Sequence, residues 1–177
     1  IHIPESVTSI GRNAFTYCTS LTKINIPENF TRIGTNVFTG CTSLTKLDCW
    51  NTHLTSLNVS GCRSMTDLSC DTNELTSLNV SGCNELTNLS CSWNKLSDLD
   101  VSGCKKLTHL NCESNKLTNL NTKGLTKLEE IYYADNMLTG NLDLSCYPNL
   151  QYIDFRFNYF SSVNATGCSS LYSFEFG

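Results

Sequence analysis

From residue 44 onward, apolar residues return at fixed places in a unit that reads LxxLxCxxNxLxxLxVxGCxx. The wording LTSLNVSGC occurs at Leu54–Cys62 and again at Leu75–Cys83, and LSDLDVSGC follows at Leu96–Cys104. Aligned on these, the units start at Leu44, Met65, Leu86, Leu107, Leu128, Leu150 and Leu171. The period is 21 residues, stretched to 22 in the unit starting at Leu128, where LTGNLDL adds one residue near Gly140. Within each unit the x-L-x-C-x stretch alternates, as a strand with one buried face does. The LxxLxV half alternates too, so a second extended side is expected. Two strands and two turns fill the unit and leave no room for a helix. One unit cannot bury its apolar edge alone, so the units must stack as rungs. About eight rungs at ~4.8 Å give a rod of roughly 40 Å.

One polar position is as regular as the leucines. Asn73, Asn94, Asn115, Asn136 and Asn158 occupy it, with Thr52 as the exception. A side-chain amide donates and accepts at once, so it can satisfy backbone groups where the chain turns.

The N-terminal part uses a longer unit. IPESVTSIGRNAFTYCTSL from Ile3 is answered 23 residues later by IPENFTRIGTNVFTGCTSL from Ile26. The extra residues predict a short helical turn around Asn13-Ala14-Phe15. This wording resembles the BspA-type leucine-rich repeat, a family associated with microbial surface proteins. The likeness is closest over residues 1–43, while residues 44–177 resemble the shorter repeats of internalin-like and related surface proteins. It implies one mostly β leucine-rich-repeat solenoid over residues 1–177, right-handed, with a parallel sheet on one side and little helix. It also implies an extracellular or cell-surface setting and a role in adhesion or host and cell–cell contact. Both ends fall inside a repeat, so the chain is expected to continue beyond them.

The chain has eleven cysteines. Ten fall in two columns. Cys49, Cys70, Cys91 and Cys112 take the second apolar site of the first strand, and Tyr133, Phe155 and Phe176 replace them later. Cys18, Cys41, Cys62, Cys83, Cys104 and Cys168 precede the next rung start by three, with Leu125 and Tyr147 in the same column. Columns that exchange Cys for Leu, Phe or Tyr are packing columns. Zinc would need closer pairs than these spacings provide. Bridges between rungs would hold Cβ atoms near ~4.8 Å, longer than a disulfide prefers. Cys146 alone stands outside both columns, where other rungs carry Gly, and is expected at the surface.

Net charge is −4, and no apolar run approaches a membrane span. With no basic patch, nucleic acid and anionic membrane are poor partners. The three histidines occupy different repeat positions, and no nucleotide loop or nucleophile elbow occurs. No cofactor, metal or catalytic residue is assigned, and an enzyme is not expected. Asp67 and Asp71 share a strand face but lie ~13 Å apart, too far to grip one ion. Thr45, Thr66, Thr87 and Thr108 form a column one residue wide that ends at Glu129, too narrow for an ice-binding plane.

Surface is what remains. The outward positions of the first sheet read Lys46, Asp48, Trp50; Asp67, Ser69, Asp71; Asn88, Ser90, Ser92 beside Trp93; His109, Asn111, Glu113; Glu130, Tyr132, Ala134; Tyr152, Asp154, Arg156. The second side shows small polar residues such as Asn58, Asn79 and Asp100. Variation and most exposed aromatic residues are therefore expected on the first face. Trp50, Trp93, Tyr132 and Tyr152 are its candidate hot spots. Asp48, Asp67, Asp71, His109, Glu113 and Glu130 supply a rim that favours a basic partner. The expected partner is a host or neighbouring-cell surface protein. A glycan-binding module and a structural spacer are the alternatives.

Overall fold

The computed structural model describes residues 1–27 and 29–176. Thirteen short strands follow one another: β1 (Ser9–Ile10), β2 (Arg32–Ile33), β3 (Lys46–Asp48), β4 (Ser56–Asn58), β5 (Asp67–Ser69), β6 (Ser77–Asn79), β7 (Asn88–Ser90), β8 (His109–Asn111), β9 (Glu130–Tyr132), β10 (Thr139–Asp143), β11 (Tyr152–Asp154), β12 (Tyr159–Asn164) and β13 (Ser173–Glu175). Seven of them, in the order β3-β5-β7-β8-β9-β11-β13, form one parallel sheet. The register keeps each repeat position opposite its equivalent, so Leu47, Leu68, Leu89, Leu110, Ile131 and Ile153 stack in line. Bridges at Lys23–Lys46 and His2–Asn25 carry the same column into the 23-residue units. The fold is thus the parallel β-solenoid that the alternation implied.

The core is one cluster running from Ile3 to Phe155. Burying a leucine side chain in such a column is worth about 1.5–3 kcal/mol, and every rung repeats the gain.

The asparagine column is a ladder. Asn94 Oδ1 accepts from the Leu75 amide at 2.9 Å, and its Nδ2 reaches the carbonyls of Cys70, Cys91 and Ser92 at 3.0, 3.1 and 3.0 Å. Asn73, Asn115 and Asn136 repeat the scheme. The residue before each of them turns through a left-handed conformation, from Thr72 at φ 53° to Asp135 at φ 55°. Thr52, the exception, gives its hydroxyl to the Cys49 carbonyl at 2.8 Å.

The cysteine columns are free thiols, eight of them buried. They form two ladders that point in opposite directions. Cys62 and Cys83 donate to the preceding rung, at Phe38 and Val59, over 3.1 and 3.3 Å. Cys70 and Cys91 donate to the following rung, at Ser90 and Asn111, over 3.5 and 3.4 Å. The threonine column is likewise turned to the backbone, each hydroxyl donating to the equivalent carbonyl one rung back, as Thr87 does to Thr66 at 3.0 Å.

Two expectations need correction. Around Asn13-Ala14-Phe15 there is no helix but a run of turns. Asn13 takes φ 60° and Tyr17 φ 56°, which breaks a right-handed helix at both ends. The amides of Asn13, Phe15 and Tyr17 instead pair with the next rung at Thr35, Val37 and Thr39. The second side is also less continuous than the alternation implied. It forms three separate two-stranded sheets, β1-β2, β4-β6 and β10-β12, and residues 98–100 and 119–121 form no strand. There Asp100 and Asn121 cap the amide two residues ahead, as Asn79 and Asp143 do at the ends of β6 and β10.

Candidate functional site

The outward positions of the seven-stranded sheet make one face, because alternate residues of every strand point away from the core. A shallow depression of about 380 Å³ crosses it from β3 to β9. Ser69, Ser90 and Asn111 line its middle, Lys46 and Asp48 stand at one end, and Tyr132 stands at the other. Short side chains between longer ones create the hollow.

The tyrosine end is the most organised part. Tyr132 and Tyr152 stack with ring centroids 4.8 Å apart and planes tilted by 32°. Tyr132 donates its hydroxyl to Glu130 Oε2 at 3.1 Å. Partial burial, reinforced by that carboxylate, pushes the Tyr132 phenol up to about 12, so it stays a neutral donor. The other carboxylate oxygen of Glu130 lies 3.7 Å from His109 Nε2. Burial raises Glu113, with Asp154 adding to the effect. Asp154, expected on the exposed row, is buried and clamped bidentately by Arg156 at 3.0 and 2.6 Å.

Other predicted residues are committed to structure. Asp71 accepts from Ser90 Oγ at 2.6 Å, Ser92 Oγ at 2.7 Å and the Ser92 amide at 2.8 Å. All three contacts fall on Oδ1 and come from the following rung, while Oδ2 accepts from Ser69 at 3.2 Å. Asp67 pairs with Lys46 at 3.2 Å, an exposed contact of small energetic weight. Asp48 caps the Trp50 amide at 3.2 Å. Ser92 and Ala134, read as outward, are buried.

The two tryptophans are not brought together. Trp50, 51% exposed, lies at the sheet edge over Ile24 and Ile26 of the 23-residue unit. Trp93, 61% exposed, takes the left-handed corner at φ 52°, beside Thr72, Glu74 and Lys95. The corner conformation turns Trp93 away from the strand row, while Trp50 borders Lys46 and Asp48 of the sheet face. Exposed aromatic side chains also occur elsewhere, at Tyr17, Phe157 and Tyr159. Of the ten candidates, Asp48, Asp67, His109 and Tyr132 line the depression, and Glu130 and Tyr152 support its tyrosine end. Among the described residues no three His, Cys, Asp or Glu side chains converge as metal ligands, and no helix is long and apolar enough to cross a membrane.

Comparison with known proteins decides the family. The model of the BspA type leucine-rich repeat region matches in six copies over residues 1–101, more than half of the chain and well past the 23-residue units. The chain belongs to the BspA-type leucine-rich repeat family. Among solved structures this BspA-type solenoid is similar to the functional domain of InlJ from Listeria monocytogenes, a structure that includes a cysteine ladder. The TM-score is 0.76 at 30% identity, over 88% of this chain and 36% of that one. The internalin InlF of the same organism gives 0.56 at 17% identity, over 88% of this chain and 61% of its own, and InlP gives 0.50 at 19%, over 97% and 63%. These two show the fold alone. The chain spans less than two thirds of each of these proteins. No curated protein sequence matches it.

Proposed function

We propose that this chain is a non-catalytic protein-binding module of a secreted or cell-surface protein, acting in adhesion or host and cell contact. Its binding surface is the outward face of the seven-stranded sheet. The observation that carries this reading is the depression walled by the stacked Tyr132–Tyr152 pair. Half-buried aromatic rings with a fixed hydroxyl donor lose little freedom on binding, which makes them good anchors. The carboxylates of Glu113 and Glu130 near them, with Asp48 at the far end of the depression, favour a partner with basic side chains. The likeness to InlJ supports a surface setting. Trp50 and Trp93 belong to the proposal only as outlying contacts, since they lie beyond the depression.

The test is an array of extracellular proteins probed with the purified chain, followed by titration of each binder against variants. Tyr132→Ala combined with Tyr152→Ala should weaken binding by at least about tenfold, or ~1.4 kcal/mol, while Asn79→Ala on the other side leaves it intact. Unchanged affinity in the double variant would place the surface elsewhere.

A further inference from the structure

The second side of the solenoid carries a cleft whose lining includes buried core residues. A cleft of about 310 Å³ lies between the rung at 118–123 and the rung at 138–147. β10 pairs with β12, yet among the described residues no backbone hydrogen bond joins 118–123 to 139–143. The 22-residue rung turns at Gly140 with φ +82°, and the β10–β12 register shifts between Gly140 and Asn141. The added residue lets this rung swing away from the one before it.

Three packing columns change chemistry together at the floor of this cleft. Thr122 stands where Val59, Val80 and Val101 stand in other rungs. Tyr133 replaces a thiol of one cysteine column, and Tyr147 replaces a thiol of the other. All three are buried. Their hydroxyls meet, with Thr122 Oγ1 at 3.1 Å from the Tyr133 oxygen and 2.6 Å from the Tyr147 oxygen. Neighbouring rungs show that valine and cysteine suffice to build a core here. Packing alone therefore does not account for a polar trio at the floor of this cleft.

We propose that this cleft is a second binding site, for a neutral polyhydroxylated ligand the size of one pyranose ring. The volume is at the small end of the ~300–1,000 Å³ typical of small-molecule sites, which suits one ring. At the rim, Asn121 spends its oxygen on the Lys123 amide, and Asn141 spends its oxygen on Ser161 and Ser162. Their Nδ2 groups remain as donors, and the hydroxyls below can donate or accept. An apolar ligand would strip water from these groups without replacing its hydrogen bonds. One cation, Lys123, and one anion, Asp143, line the same cleft, so neither sign of ligand charge is favoured. A sugar ring supplies the alternating donors and acceptors that this lining lacks.

The site is independent of the sheet face, and its test can fail alone. Amide NMR of the whole chain would be followed during separate titrations with D-glucose, D-galactose, D-mannose and N-acetyl-D-glucosamine, each to about 50 mM, a range that detects millimolar affinity. The expected result is saturable shifts of the Asn121 and Asn141 side-chain amides with at least one sugar. Asn121→Ala, an exposed change that also gives up the cap on the Lys123 amide, should weaken it by about tenfold, or ~1.4 kcal/mol, and Trp50→Ala should not alter it. Absence of a saturable rim shift with all four sugars, or full affinity in Asn121→Ala, overturns the proposal.

Discussion

The hydroxyls of Thr122 and Tyr147 lie 2.6 Å apart inside a core built mainly from aliphatic side chains and cysteine. Thr122 also meets Tyr133 at 3.1 Å, so one small side chain holds two tyrosines that enter from opposite cysteine columns. Thr122→Val would restore the residue of the neighbouring rungs yet leave both phenols short of a partner. An unpaired buried hydroxyl costs about 1–3 kcal/mol. The variant is therefore expected to lose roughly 2 kcal/mol in urea unfolding, while Thr122→Ser loses about 1 or less, because it keeps the hydroxyl and gives up one methyl. Equal losses would show that the methyl, not the hydrogen bonds, matters there.

The thiol ladders predict an alkaline instability. Burial pushes Cys83 and Cys112 up to about 12 from an ordinary value of 9.0. The unfolded chain releases these protons above about pH 9, and the native chain does not until near pH 12. Over that window the native state binds more protons, so stability falls as pH rises. Thermal melts should show a steady fall in Tm above pH 9, and replacing Cys83 and Cys112 by Ala should flatten it. A thiol-reactive chromogen at pH 8 should label Cys18, Cys146 and Cys168, which are only partly buried, ahead of the other eight. All eleven should react after unfolding in the absence of reductant.

Binding at the sheet face should depend on salt. Asp48, Glu113 and Glu130 are not matched by an equal number of cations there, and exposed charges are screened over ~10 Å at 0.1 M ionic strength. For a partner captured through this face, affinity should fall several-fold between about 0.05 and 0.5 M NaCl, mainly through slower association. An association rate that ignores salt would mean that the carboxylates play no part in recognition.

The solenoid itself could be read from the chain because it is periodic in one dimension. A leucine every rung at the same place fixes the strand, its inward face and its register, and the asparagine column marks the corner. Features that depend on one residue meeting another across rungs were not legible. Trp93 follows Ser92 directly, yet the left-handed corner at φ 52° takes it off the face. Asp71 looked like a free carboxylate until Ser90 and Ser92 closed on it. The Thr122 trio left its signals in three separate columns, a threonine among valines and two tyrosines among cysteines, and they gain meaning only when the two tyrosines are seen to reach the threonine.

The asparagine ladder gives the sharpest local test. Asn94 is buried, accepts from the Leu75 amide and serves the carbonyls of Cys70, Cys91 and Ser92. Asn94→Ala leaves the Leu75 amide without a partner at a corner that water reaches poorly, while the carbonyls of Cys70, Cys91 and Ser92 each keep a second donor, from Asn73, Asn115 and the Thr72 amide. At about 1–3 kcal/mol for one unsatisfied buried amide, the expected loss is roughly 2 kcal/mol. Asn94→Thr should cost less, because Thr52 shows that a hydroxyl in this column still reaches the carbonyl three residues back. In a stack held by nearest-neighbour contacts the damage should stay local. Hydrogen exchange should then show the Leu75 amide losing protection, while the amide of Leu117, which donates to Asn136 two rungs further on, keeps it. Uniform loss of protection along the chain would mean that the rungs unfold as one unit and that the ladder acts through global stability.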